Sequence, residues 1–303
     1  MALIGKWTVA WLLALVLPER SWDWVGDRVV GLGAWLAPGP ITRAEADMGR
    51  HLARQKLGAS VATLARRFVR NFRSDQLAVM RCYTPRPWRP ELEVTGLDHV
   101  RAARAAGRGC LLWVAPTVFG SLMSKRTLFE AGVEQHHLSR EGHGVASRSR
   151  LARLLALPRV RLEDRYLAER ILIPDSGAPR EAMRRLSDLL WAGEVVTILV
   201  GANAARTHVV PFLDGTLEAS LGVPELARRC DAVLLPVATV RIGPGRFHTT
   251  IGPPLALDPS VDPETVGRRA VAELAYCLAP RALASPDQIC WHFDLFRDAH
   301  RAD

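Results

Sequence analysis

Beyond residue 90 the apolar residues fall into short unbroken runs separated by amphipathic stretches. Residues 91–94 predict extended chain, 98–106 a helix stopped by Gly107, and 110–115 a strand that is apolar on both faces. A continuous run of this length suits a strand buried between two layers. Residues 121–131 predict a helix and 171–174 a short strand. A helix then opens around Asp175, Ser176 and Pro179 and ends at Trp191-Ala192-Gly193, followed by a β-branched strand at 194–200. Residues 218–229 predict a helix, 232–240 another buried strand, and 246–251 alternate as an edge strand would. Asp262-Pro263 opens a last helix reaching about Leu278. This alternation predicts an α/β fold, a mainly parallel sheet covered by helices on both faces.

The first ninety residues are patterned differently. Residues 2–17 are apolar apart from Lys6 and Thr8, and Pro18-Glu19-Arg20 ends the run. That is shorter than the ~18–20 residues that usually span a bilayer. A second apolar stretch, 29–37, follows Trp22 and Trp24, residues suited to a membrane interface. Three readings stay open: an inserted or interfacial anchor, a buried hydrophobic hairpin, and a cleaved signal. Residues 41–80 predict helix, with Leu57, Val61, Leu64, Phe68 and Phe72 on one face and Arg43, Arg50, Arg54, Lys56, Arg66, Arg67, Arg70 and Arg73 recurring along it. A basic amphipathic helix is either a membrane-surface element or a solvated face over a core stripe. The Pro-rich stretch 83–90 ends it. The expected organisation is therefore a membrane-anchoring or interfacial segment at 1–40, a basic helical segment at 41–90 and an α/β domain at 91–303.

Composition narrows the partners. The chain has 303 residues, a formal charge of +9 and a pI near 10.0, with 49% hydrophobic residues and nine Trp. Such a chain suits an anionic lipid surface or nucleic acid. No nucleic-acid-binding signature occurs, so membrane lipids are the expected partner and nucleic acid is not. The five cysteines (Cys82, Cys110, Cys230, Cys277, Cys290) are scattered without a Cys-x-x-Cys pair. This argues against a disulfide framework and against zinc. Phosphate-cradling Gly-x-Gly-x-x-Gly or Walker patterns are absent from the sequence.

Several blocks carry a resemblance. They are Val94-Thr95-Gly96-Leu97-Asp98-His99, Ala106-Gly107-Arg108-Gly109-Cys110-Leu111-Leu112, Ala192-Gly193-Glu194-Val195-Val196 and Val209-Val210-Pro211-Phe212-Leu213-Asp214-Gly215. Gly222 to Arg229, Val237, Arg241, Gly245-Arg246-Phe247, Ile251-Gly252-Pro253-Pro254 and Pro286-Asp287-Gln288-Ile289-Cys290-Trp291-His292 follow in order. Asn71-Phe72-Arg73-Ser74 matches in character. In order and spacing the chain resembles the bacterial lauroyl/myristoyl acyltransferases of lipid A synthesis, within the lysophospholipid acyltransferase superfamily. The resemblance implies transfer of a fatty acyl chain to a lipid or glycolipid hydroxyl at the cytoplasmic face of the inner membrane. The acyl thioester on acyl carrier protein or coenzyme A would be a co-substrate, with no cofactor and no metal. Acyl carrier protein or a membrane protein complex would be further partners.

That family carries His-x-x-x-x-Asp/Glu just after its first core strand. The resemblance implies that this His deprotonates the acceptor hydroxyl, a task suited to a base with pKa near the working pH. Residues 113–123 here read WVAPTVFGSLM and contain no His, Asp or Glu. Aligned without gaps, the dyad falls on Pro116 and Ser121; aligned on Phe-Gly, it falls on Val118 and Met123. Val200-Gly201-Ala202-Asn203 likewise lacks the family's Asp-Gln pair. Arg140, in Leu138-Ser139-Arg140, matches a family Tyr-Arg and is a candidate phosphate or carboxylate contact, with Arg206, Thr117 and Gly120 as further substrate-binding candidates. Candidate replacement groups are Ser121, His208 with Asp214, and His136 with Glu141. The last pair has the His-x-x-x-x-Glu spacing, but in a strand its members face opposite sides. His136, His137 and His143 have no acid or Cys spacing to support a metal, and His292 is expected to be structural. Two readings stay open: an enzyme with a relocated or substrate-supplied base, and a catalytically inactive lipid-binding or assembly subunit.

Overall fold

A computed structural model describes residues 11–36, 38–140, 150–174, 179–201 and 206–291. After a helical stretch at 11–16 come three helices: α1 (Trp22–Leu36), α2 (Gly39–Leu52) and α3 (Val61–Arg81). The basic stretch 41–80 is thus two helices, interrupted at 53–60, and Ser60 caps α3 by accepting a hydrogen bond from the Thr63 amide. The remaining elements are β1 (Glu91–Thr95), α4 (Leu97–Ala105), β2 (Cys110–Val114), α5 (Gly120–Glu130), β3 (His136–Arg140), α6 (Arg150–Asp164), β4 (Glu169–Ile173), α7 (Arg180–Trp191) and β5 (Val195–Leu199). They continue with β6 (Thr207–Phe212), β7 (Gly215–Ser220), α8 (Gly222–Arg229), β8 (Val233–Gly243), β9 (Arg246–Ile251) and α9 (Pro263–Ala284). Residues 175 and 176, expected to open α7, lie outside the described residues.

The main sheet has seven strands in the order β1-β9-β8-β2-β5-β3-β4. β8, β2, β5, β3 and β4 are parallel; β9 is antiparallel to β8, and β1 is parallel to β9. All five residues of β2 are buried. Leu111 and Trp113 belong to one core cluster, while Cys110, Leu112 and Val114 belong to another. Both faces of the sheet are therefore covered, which is why this strand reads as an unbroken apolar run.

Two expectations need correction. Residues 246–251 do not form an edge strand: β9 lies between β8 and β1, and β1 is the edge. Its alternation arises because Phe247, Thr249 and Ile251 face buried neighbours while the other face is partly open. Residues 218–229 are not one helix. Gly215–Ser220 pairs antiparallel with β6 through the two-residue turn Leu213-Asp214, and helix begins only at Gly222. Leu217 and Ala219 are buried between the polar Thr216, Glu218 and Ser220, a strand period too short to stand out from the helix that follows.

The larger core cluster runs from Ala14, Trp22 in α1, Met48 in α2 and Phe68 in α3 through the sheet to Trp291. The N-terminal helices thus share a hydrophobic core with the α/β part across the Pro-rich stretch. Among the described residues, no helix is long and apolar enough to cross a membrane. One backbone position is strict. Gly96 has φ of 79° between β1 and α4, and a Cβ there would lie 1.9 Å from the Ile251 carbonyl oxygen, so only glycine fits.

Candidate functional site

In open α/β sheets ligands bind outside the carboxyl ends of the parallel strands. The turn 116–119 occupies that place at the end of β2. Backbone pairing continues past the strand, with the Ala115 amide donating to Val237 O (2.7 Å) and the Val200 amide to Val114 O (2.8 Å). The turn itself is tied down on two sides. Thr117 Oγ1 donates to Thr239 O at 2.6 Å. The C-terminal segment lies along the turn as a short antiparallel bridge between Thr117 and Ile289. Val118 N donates to Gln288 O (2.8 Å), and Cys290 N to Pro116 O (2.9 Å). Thr117, Val118 and Phe119 are buried in consequence. Gly120 starts α5 so close to the turn that a Cβ would lie 2.4 Å from Thr117 Oγ1.

Ser121, in the first turn of α5, donates to Glu163 Oε1 of α6 at 2.7 Å. The other oxygen of Glu163 accepts from Lys125 Nζ at 2.6 Å, and both side chains are almost fully buried. Arg159 reaches Glu163 from one turn earlier (3.3 Å) and forms a two-pronged pair with Asp75 of α3 (2.5 and 3.1 Å). Arg170 of β4 adds a further contact to Glu163 at 3.3 Å. Burial opposes ionisation of Glu163, but the charges of Lys125 and Arg159 and the hydrogen bonds from Lys125 and Ser121 outweigh it. They hold its carboxyl far below the usual carboxylate range. Burial in turn pulls Lys125 down and raises Asp75, in each case against the attraction of its partner. A carboxylate so stabilised is a poor proton acceptor, because general-base efficiency follows basicity. The Ser121 hydroxyl is therefore paired but not activated.

His137, beside His136 in β3, is closed off as well. Burial, with the nearby Lys125 charge, pulls its imidazole well below the ordinary value, so the ring is neutral. Thr197 Oγ1 donates its hydrogen to His136 O (3.3 Å), which leaves that hydroxyl to accept from His137 Nδ1 at 2.9 Å.

The remaining candidates are scattered. Arg140 is half-buried at the carboxyl end of β3, the same end as the turn. His136 is at the opposite end of that strand, ~13 Å upstream by strand rise, with Nδ1 3.4 Å from Glu169 Oε2. Glu141 and His143 lie outside the described residues, as do Ala202, Asn203 and His292. His208 sits opposite Ala219 in the β6–β7 hairpin. Asp214 is in the turn of that hairpin, ~20 Å along the strand from His208 by the same rise. Its carboxylate accepts from Arg54 N (2.6 Å) and Gln55 Nε2 (2.7 Å), fastening the hairpin to the end of α2. His208 and Asp214 therefore do not form a pair. Arg206 is an exposed residue that pairs with Glu225 (3.3 Å) and Glu264 (3.7 Å).

The residues that sequence reasoning missed are Glu163, Lys125, Arg159 and Asp75. The available signal was helical spacing: Ser121 and Lys125 are four apart, as are Arg159 and Glu163, which places each pair on one helix face. That the two faces meet is a tertiary fact.

A mostly parallel sheet with helices on both faces and a buried turn after its central strand defines the class, an α/β protein whose candidate site is at the carboxyl ends of its strands. Residues 54–297 match the bacterial lipid A biosynthesis acyltransferase family, and the chain belongs to that family. The match spans the turn, the ion network and the C-terminal segment that closes the turn, and it supports an acyltransferase-like function. No curated protein matches the chain.

Proposed function

We propose that this protein acts on fatty acyl chains at an anionic membrane surface, the cytoplasmic face of the inner membrane. Its chemistry would be transfer from a thioester, on acyl carrier protein or coenzyme A, to a lipid or glycolipid hydroxyl. In that step the hydroxyl oxygen bonds to the acyl carbon, the C–S bond breaks, and the hydroxyl proton ends on the departing thiolate. The observation that carries this reading is the family match over residues 54–297, a range that includes the turn 116–119 and the residues that tie it down. Support for the membrane comes from the outer face of α1, where Trp24, Val29 and Leu32 are exposed, and from exposed Trp11, Leu12, Leu15 and Val16 just before it. Apolar and indole side chains beside Arg20 and Arg28 suit the headgroup boundary of anionic lipid.

A second reading, a catalytically inactive lipid-binding or assembly subunit, is favoured by one observation. Among the described residues at the turn, the hydroxyls of Thr117 and Ser121 are both committed to internal acceptors, and the acceptor of Ser121 is an unreactive carboxylate. The deciding experiment gives purified protein acyl-coenzyme A or acyl carrier protein with a panel of lysolipids and glycolipids. Product formation establishes the transferase. Co-purifying lipid seen by mass spectrometry without turnover establishes the binding subunit.

A further inference from the structure

The Arg241 side chain is 13% exposed and stands between α1 and the turn 116–119. Its guanidinium forms a two-pronged pair with Asp23 of α1 (2.9 and 3.1 Å) and donates to Asn71 Oδ1 of α3 (3.0 Å). The same group lies over the ring of Phe119, 5.2 Å from its centroid. Its backbone is gripped by Gln288, whose Oε1 accepts from Arg241 N (2.7 Å) and whose Nε2 donates to Arg241 O (2.8 Å). Gln288 is also the residue whose carbonyl holds the Val118 amide. Asn71 completes the ring by donating to Asp287 O at 2.9 Å. One residue thus touches α1, α3, the turn and the segment that closes it. A planar fork with five donors can serve so many acceptors where an ammonium cannot.

We propose that Arg241 is a positioning residue that holds the turn and its closing segment in register, and that it relays the seating of α1 on lipid to the turn. The relay rests on the membrane reading above; the positioning role does not. α1 has an inner face bound to this cluster through Asp23 and an outer face carrying Trp24, Val29 and Leu32. Lipid that fixes the outer face restricts the inner one, and Asp23–Arg241 is the polar link from there to Phe119 and Gln288.

The test is hydrogen exchange of the full-length protein, read in peptides containing the Val118 and Cys290 amides. It is run in solution and with vesicles of phosphatidylglycerol and phosphatidylcholine. Arg241→Lys and Asp23→Asn should speed exchange at these two amides about ten- to hundredfold, as expected when charge-assisted bonds that oppose local opening are lost. Asp27→Asn removes the 3.3 Å pair of α1 with Arg70 but leaves Asp23, which Arg70 also approaches at 3.9 Å, paired with Arg241, and should leave both amides unchanged. Vesicles should slow the two amides in the wild type but not in Arg241→Lys, with equal vesicle binding by both proteins. Unchanged amides in Arg241→Lys and Asp23→Asn, or an equal rise at every amide of the protein, overturns the positioning role. Vesicle binding without any response at Val118 and Cys290 in the wild type overturns the relay and leaves the membrane reading standing. Absence of vesicle binding removes the membrane reading and the relay together, while the solution measurements still decide the positioning role.

Discussion

Ser121 and Glu163 are 42 positions apart in sequence, yet the hydroxyl of one donates to the carboxylate of the other at 2.7 Å. Ser121 is where the family resemblance, aligned without gaps, places an acid. A carboxylate is thus brought to that place from a different helix, already neutralised by Lys125 and Arg159. Removing one member of a buried ion pair leaves the other uncompensated, a cost of ~3–5 kcal/mol. Glu163→Gln, which leaves Lys125 without its counter-charge, should lower unfolding stability by about that amount in denaturant melts. Ser121→Ala removes one hydrogen bond to a charged group and should cost ~1.5–3 kcal/mol.

The same pair sets a pH dependence. Glu163 is held below its ordinary value of 4.5 in the fold, so the unfolded chain takes up a proton that the folded chain resists. The stability it contributes is fully present above the unfolded value and is lost as the pH falls toward the folded one. Asp75, raised by burial, works in the opposite sense, so the comparison must isolate Glu163. Between about pH 6 and pH 3 the stability gap between wild type and Glu163→Gln should shrink steadily. A gap that stays constant over that range would show that the pair is not ionised as described.

The scattered histidines yield a kinetic expectation. A lost general base costs about a hundred- to ten-thousandfold in rate. His208 lies in a hairpin whose turn is fastened to α2, and His136 lies at the far end of its strand from the turn. Any acyl transfer measured with thioester donors should therefore survive His136→Ala, His208→Ala and Ser121→Ala within a few-fold. A loss of a hundredfold or more in one of them would identify that residue as the relocated base.

Membrane binding should depend on the outer face of α1. Trp24→Asp and Leu32→Asp remove exposed apolar area without touching the buried Trp22 and Val30. Fully burying a large apolar side chain is worth ~1.5–3 kcal/mol, so each variant should weaken binding to anionic vesicles about tenfold or more, with an unchanged melt. Deleting residues 1–40 would instead strip Trp22 and Asp23 from the core and the Arg241 cluster, and should give insoluble protein.

Gly96→Ala tests the close approach of α4 to β9. The backbone at positive φ and the Ile251 carbonyl both exclude a Cβ. The cost should exceed ~1 kcal/mol, seen as a lower melting temperature. An unchanged melt would mean that the β1–α4 turn can move away from β9.

Much of this protein is written in its order of residues. The unbroken apolar run of β2 declares a strand buried on both faces, because neither side of it needs water. Gly107, Gly193 and Pro263 mark helix ends through backbone chemistry that depends on neighbours alone. The blocks from residue 92 to Trp291 carry the family. Tertiary structure decided the rest. The β6–β7 hairpin was hidden because Leu217 and Ala219 are only two apolar positions alternating with Thr216, Glu218 and Ser220, too short a run to separate from the helix-forming residues that follow, and their burial depends on packing against α2 and α9. β9 alternates as an edge strand does, and only the crossover of β1 to its far side puts it inside the sheet. The site shows the division most clearly. Sequence shows that residues 113–123 hold no His, Asp or Glu. That Thr117 and Ser121 are bound to Thr239 and Glu163, and that Arg241 ties the turn to α1, follows from contacts between residues 42 to 218 positions apart, which no local pattern encodes.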